Sequence, residues 1–483
     1  MLIKDDLCAF ILRNFPHEPT VEQLAVVNVW CEFLLSKVRN EAFILKGYAG
    51  TGKTSLVGAL VQTLTALGHN VVLLAPTGRA AKVFASYSGH TAFTIHKKIY
   101  RQKTFSAEMI DFQQNYNSHK RTLFIVDEAS MISNEPTGGR MFGTGRLLDD
   151  LVHFVYSGEG CRLMLVGDVA QLPPVGETLS PALNILTMEG YGLDVRSIEL
   201  TQVVRQVEDS GILYNATMLR RLISNDEMGD FPRLRVHGFP DVKVVPGNEL
   251  IERLEDSYSR CGTDQTIVVT RSNKRANLFN NGIRGRILMC EEELSSGDQL
   301  IVVKNNYYWL GSEKGEEKGE TANSTDFIAN GDVCVVRRYR NEREMYGFRF
   351  VDATLRFPDF DDMEIEATML MDTLQSEAPA LLQEQQRALF DAVCADYPEI
   401  KNRIDLLKKV KEDPYYNALQ VKFAYAITCH KAQGGQWQHV YIDQGYLTQE
   451  MLSPDYFRWL YTALTRATER VYLINWPKEQ QAQ

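Results

Sequence analysis

The chain has 483 residues and a formal net charge of −10, longer than a single hydrophobic core usually grows, so several domains are expected. Its 44% apolar and 24% charged residues suit an ordinary globular protein, no apolar run reaches the ~18 residues of a membrane span, and the acidic start MLIKDDLCAFILRNF excludes a secretory signal, so a cytoplasmic protein without membrane association is expected. The charge excludes a surface coated for nucleic acid but not a local basic groove, because Coulomb forces are screened beyond ~8 Å at physiological salt.

Pro19-Thr20-Val21-Glu22-Gln23 opens a helix with Thr20 as its cap. Taken alone, Gln23 reads either as a solvated helix residue or as an amide placed to hydrogen-bond an adenine edge. Phe43 to Lys46 is a short buried strand running directly into Gly47, Gly50, Thr51, Gly52, Lys53 and Thr54. This is a phosphate-binding P-loop in its required strand-to-helix setting. The glycines let main-chain N–H groups close around phosphates. Lys53 supplies charge at the β/γ-phosphates, Thr54 a hydroxyl for Mg²⁺, and the following helix its positive N-terminal end. ATP and Mg²⁺ are therefore the expected small-molecule partners.

Val71 to Ala75 is a second strand, ending in Pro76-Thr77-Gly78-Arg79. Open α/β sheets bind ligands at such carboxyl ends. Thr77 and Arg79 read equally as nucleic-acid phosphate contacts or as a plain strand-to-helix turn. Thr94-Ile95-His96-Lys97-Lys98 is a similar polar, basic cluster, and Tyr100 to Arg121 reads as an excursion from the sheet. Leu123 to Val126 delivers Asp127 and Glu128 to the end of another buried strand. Beside a P-loop, that position suits Asp127 as a Mg²⁺ partner and Glu128 as general base. Leu163 to Val166 leads likewise to Asp168 and to Gln171, a γ-phosphate sensor in a loop stiffened by Pro173 and Pro174.

After Leu200 a second α/β region starts, containing the strand Ile267 to Thr270 followed by Asn273. From Ile283 to about Phe360, short β-rich runs separated by Gly, Asn and Asp turns read as a small inserted β-barrel, with an acidic tract over Gly311 to Glu320. Met363 to Lys411 reads as mainly helical. The α/β pattern resumes at Ala424 and carries Thr428, His430, Lys431, Gln433 and, later, Arg466 on an otherwise apolar helix. That arginine is either an ion-pair partner or an arginine finger across a domain cleft.

GYAGTGKT, APTGRAAK, VDEAS, GDVAQLPPVG, LTQVVRQ, AITCHKAQGGQ and YTALTRA occur in the order of the superfamily 1 helicase motifs, and the chain most resembles the superfamily 1B group of RecD-like and Dda-like DNA helicases. The resemblance implies an α/β fold of two RecA-like P-loop domains with parallel sheets, plus an inserted SH3-like barrel with a helical extension. The expected divisions are 1–190 for the first domain, with 100–121 as a strand-separating pin, 191–282 and 415–483 for the second, and 283–414 for the insertion. It implies that Gln23 contacts adenine, and that Arg205 and Arg466 reach the nucleotide from the second domain. It also implies that Pro76, Thr77, Arg79, His96, Asn273, Thr428, His430 and Lys431 line a single-stranded DNA track. The function implied is a monomeric ATP-dependent helicase moving 5′ to 3′ and unwinding forked duplexes. A motor subunit of a RecBCD-like nuclease complex and an RNA-directed motor are the competing readings.

Overall fold

The computed structural model describes residues 4–102, 112–136, 143–204, 210–306, 308–310, 328–360 and 362–482. In chain order the first lobe contains β1 (Glu41–Gly47), β2 (Asn70–Ala75), β3 (Ala92–Thr94), β4 (Tyr100–Gln102), β5 (Phe112–Gln114), β6 (Thr122–Val126), β7 (Arg162–Gly167) and β8 (Asp194–Leu200). Six of them form a parallel sheet in the order β3-β2-β6-β7-β1-β8. β6 is buried along its whole length and β1 and β7 nearly so, as parallel strands covered on both faces must be. One apolar cluster lies on each face of the sheet.

The excursion after β3 is a ribbon: β4 and β5 pair antiparallel, with Tyr100 opposite Gln114 and Gln102 opposite Phe112. Its tip, 103–111, lies outside the described residues. β8 pairs with β1 through Leu200, so the first lobe extends past residue 190, where the sequence reading ended it.

The second lobe contains β9 (Leu234–Arg235), β10 (Val242–Val245), β11 (Thr266–Thr270), β12 (Gln299–Val302), β13 (Val333–Met345), β14 (Phe348–Phe357), β15 (Met363–Leu370), β16 (Leu419–Phe423), β17 (Ala426–Thr428), β18 (Trp437–Asp443), β19 (Ala467–Ile474) and β20 (Gln481–Ala482). A parallel sheet runs β10-β19-β18-β11-β17, and β12 to β16 close a barrel. The fold is thus two RecA-like lobes with a small inserted barrel.

Two sequence expectations are corrected here. Met363–Leu370 is a barrel strand and not helix: Glu364 and Glu366 point outward to Arg337 and Arg338, and these charges disguised a period of two. The barrel also closes on β16, beyond residue 414, because β12 needs a partner on its second edge. The helical extension comprises Gln383–Ala395 and Arg403–Lys411. The acidic tract lies outside the described residues.

Barrel and second sheet share one apolar cluster. A buried carboxylate pins their junction: Asp298 accepts from Arg284 Nε and Nη2, both at 2.8 Å, from the Ser295 N–H at 2.7 Å and from the Tyr425 hydroxyl at 3.1 Å. The barrel also touches the first lobe, where Asp359 pairs with Lys82 at 3.0 Å and the buried Asp332 carboxylate sits against Gly78. Removing one member of a buried ion pair leaves the other uncompensated, at a cost of about 3 kcal/mol. Asp298→Ala is therefore expected to lower the unfolding temperature of the second lobe by several degrees in calorimetry, without moving the transition of the P-loop lobe.

Candidate nucleotide and nucleic-acid sites

The P-loop is built as its residues require. Gly50 and Gly52 have φ of +76° and +80°, a region open to glycine at little steric cost. The helix Lys53–Ala66 starts after Gly52 with no side-chain cap, so its first-turn N–H groups are left for an anion. Lys53 folds back, donating to the carbonyls of Gly47 at 2.6 Å and Tyr48 at 2.8 Å. Gln23 is buried with both ends engaged: its N–H₂ donates to the Thr51 carbonyl at 3.0 Å, and its carbonyl accepts the Thr20 N–H at 3.0 Å. In this conformation Gln23 braces the loop.

The two acids stand beside that loop. The Asp127 carboxylate accepts the Tyr87 hydroxyl and, at 2.8 Å, the Glu128 N–H. Glu128 has φ of +51°, a strained conformation for a residue with a side chain and of a kind that clusters at functional sites. Burial pushes both carboxyls above their ordinary range; the Arg466 guanidinium is the first force opposing that rise at Glu128. Arg466 comes from the second lobe, is buried, and places Nη1 4.0 Å from Glu128 Oε1. It is aimed by the carbonyls of Thr462 and Gly435, both at 3.2 Å. Gln171 is buried, and among the described residues its carbonyl oxygen has no hydrogen-bond partner, an orphaned acceptor of the kind a bound ligand or water satisfies. Arg205 lies outside the described residues, but Val204 before it donates its N–H to the Gly50 carbonyl at 2.9 Å.

These groups fit a nucleotide with Mg²⁺. The uncapped helix start supplies phosphate donors, and no cluster of three or more His, Cys, Asp or Glu suited to a metal occurs among the described residues. Thr54 in the first turn of that helix and Asp127 just after β6 would be the residues to hold such an ion.

The helix Pro454–Leu464 of the second lobe is fastened to the loop after β7. The Tyr461 hydroxyl donates to Asp168 Oδ2 at 2.6 Å and accepts the Ala49 N–H of the P-loop at 2.9 Å. Thr462 accepts the Leu172 N–H at 2.9 Å, Gln433 donates to the Leu172 carbonyl at 2.8 Å, and Arg458 donates to the Val169 carbonyl.

The residues expected on a DNA track divide into two groups. Thr77 caps the helix Gly78–Ser88, and Arg79 stacks on Trp437 of the second lobe, 4.0 Å from the ring centroid, while donating to the Gln436 carbonyl at 3.1 Å. Gly434 packs against Thr77 and Ala80. Pro76 and His96 are half-buried; His96 lies 5.7 Å from the Tyr100 ring, and burial pushes its imidazole down to about 4, leaving it neutral near pH 7. On the second lobe, Asn273, Thr428 and Lys431 line one narrow recess together with Lys422. The Lys431 ammonium is buried there with no hydrogen-bond partner among the described residues, its pKa pushed down to about 8 first by burial and then by Lys422. His430 is exposed beside it.

Two family models match the chain, that of an AAA domain over residues 33–228 and that of the UvrD-like helicase C-terminal domain over 423–474. The chain is 25% identical over 441 residues to the ATP-dependent RecD2 DNA helicase of Deinococcus radiodurans, covering 89% of this chain and 46% of that protein. It is 26% identical over 277 residues to the ATP-dependent DNA helicase dda of Enterobacteria phage T4, covering 55% and 57%. It thus spans about half the length of these two relatives. A crystal structure of Pif1 helicase from Bacteroides in complex with ADP-AlF3 and ssDNA is similar at 16% identity, covering 97% of this chain and 95% of that one with a TM-score of 0.46.

Sequence reasoning missed Tyr461, Tyr87 and Trp437. A tyrosine on an apolar helix reads as core, and nothing near Tyr87 marks it as the partner of a carboxylate. Tyr461→Phe removes one hydroxyl and strands a P-loop N–H and part of Asp168, at a cost of about 1–3 kcal/mol. It is expected to slow nucleotide hydrolysis roughly tenfold or more and to lower the melting temperature by a few degrees, as measured by phosphate release and calorimetry.

Proposed function

Since the chain belongs to the superfamily 1B DNA helicases, the RecD-like and Dda-like group, we propose that it uses ATP and Mg²⁺ to move 5′ to 3′ along single-stranded DNA and to unwind forked duplexes. The observation that carries this reading is Arg466 of the second lobe facing Glu128 of the first across the P-loop. A nucleotide held between these residues contacts both lobes, so its state biases their separation.

Bound ATP supplies the transferable γ-phosphoryl group. Lys53 would exchange its two carbonyl partners for phosphate oxygens, the uncapped helix start would donate N–H groups, and Thr54 and Asp127 would hold the metal. Glu128 takes the proton of the attacking water, Gln171 orients that water through its free carbonyl oxygen, and Arg466, with Arg205, stabilises charge on the transferring group. Pro76, Thr77, Arg79 and His96 grip the strand from the first lobe, and Asn273, Thr428, His430 and Lys431 from the second. This grip is sequence-tolerant and salt-sensitive. Arg79 and Gly434 tie the two halves of that track to each other, so strand binding would compete with these closing contacts for the same side chains.

Lys53→Ala is expected to abolish hydrolysis. As a base, Glu128 must be ionised, and burial raises its pKa. The rate is therefore expected to fall, as pH is lowered, at a pH above the usual glutamate range near 4.3, in a pH profile of DNA-stimulated hydrolysis. Unwinding of duplexes carrying either a 5′ or a 3′ tail tests polarity. Activity on the 5′-tailed substrate supports the proposal; activity only on the 3′-tailed one, or no stimulation of hydrolysis by single-stranded DNA, overturns it.

A further inference from the structure

At the root of the β4–β5 ribbon, between β3 and the segment 115–119 leading into β6, the surface is hollowed into a recess of about 260 Å³. Phe93 forms part of its wall, with the ammonium groups of Lys97 and Lys98 5.7 and 5.4 Å from the ring centroid. Tyr116 stands at the rim, 78% exposed. Asn115, Ser118 and His119 complete the polar lining. Burial, and Lys98 beside it, push the His119 imidazole down, so it enters the recess as a neutral hydrogen-bonding ring. Among the described residues no carboxylate lines this recess, in a chain whose acids outnumber its bases.

None of these side chains belongs to the track described above. His96, on the same short helix, meets Tyr100, whereas the two lysines meet Phe93. The track lies at the carboxyl ends of β2 and β17. The recess lies on the flank of the first lobe, walled by Phe154 of the helix Leu147–Ser157 and by the segment entering the amino end of β6. Two cations near an aromatic face, an exposed tyrosine ring and neutral hydrogen-bonding groups are the means by which proteins hold an unpaired nucleotide: phosphate charge is met by lysine and the base by a ring.

We propose that this recess binds the second strand of a fork, the one turned aside at the ribbon while its complement enters the track, a reading that rests on the helicase function proposed above. The exposed Tyr116 stacks on a base, Lys97 and Lys98 meet the adjoining phosphates, and His119 and Ser118 hydrogen-bond without selecting a sequence. Holding the parted strand on the flank keeps it from re-pairing behind the ribbon.

The test is fluorescence anisotropy with three probes: oligothymidylate, a duplex with a 5′ tail only, and a fork with tails on both strands. The variants are Lys98→Ala with Tyr116→Ala together, and Tyr116→Phe alone. The double variant is expected to lose about tenfold in affinity for the fork, and its salt dependence for that probe is expected to flatten by about 0.7 in log–log slope, the share of one phosphate contact to a single strand. Affinity for the other two probes, and hydrolysis stimulated by oligothymidylate, are expected to stay at the level of the unaltered chain. Tyr116→Phe keeps the ring and is expected to bind the fork normally. Unchanged fork binding by the double variant, as a recess serving an acidic peptide would give, overturns the proposal. Equal weakening on all three probes does so too. Failure of oligothymidylate to stimulate hydrolysis by the unaltered chain overturns the helicase reading instead, so the two failures are distinguishable.

Discussion

The phenolic hydroxyl of Tyr461 is the contact on which the arrangement of the two lobes turns. It is buried, donates to a carboxylate in the loop after β7 and accepts an N–H of the P-loop, yet it is carried by the helix whose end positions Arg466. Three elements that must sense one another, the phosphate cradle, the loop bearing Gln171 and the helix leading to the guanidinium, therefore meet at a single oxygen atom. In a site shielded from water such a bridge is directional, and leaving either of its partners unpaired is costly. The lobes cannot shift relative to each other without changing what surrounds the cradle.

Around that bridge the polar groups are withdrawn from water. Two carboxyls are pushed up by burial, one guanidinium faces one of them from the other lobe, and one glutamine oxygen has no donor among the described residues. Each of these is unfavourable in isolation. Together they form a set of complementary deficits that a triphosphate and its metal would satisfy at once, which explains why so polar a cleft persists within two otherwise apolar lobes.

Much of this was legible in the sequence because the chemistry is local in the chain. GYAGTGKT fixes a strand, a loop and a helix start within a dozen residues, and VDEAS places two acids at a strand end that periodicity already identifies. What was not legible is the work done by ordinary-looking residues at long range. Tyr461 reads as core, Tyr87 as one more helix residue, and Arg79 as a phosphate contact or part of a plain turn, with no sign that its guanidinium lies on Trp437 far along the chain. The strand Met363–Leu370 reads as helix in the sequence because its acidic residues answer arginines of β13, two strands away in the barrel, a pairing that no window of the sequence contains. The end of the barrel is hidden for the same reason, since β16 belongs to the insertion by virtue of its pairing with β12 on one edge and β15 on the other.

The route of the chain through the barrel also has a mechanical side. The barrel leaves the second lobe after the helix Asn273–Arg286 and returns through β16 directly into β17, so both of its stems are rooted in that lobe, while Lys82 and Gly78 anchor its far side to the helix that follows β2. A body tied firmly at one end and lightly at the other behaves as an outrigger. Any shift of the second lobe would carry the barrel with it and would strain the surface ion pair and the buried aspartate that face the first lobe.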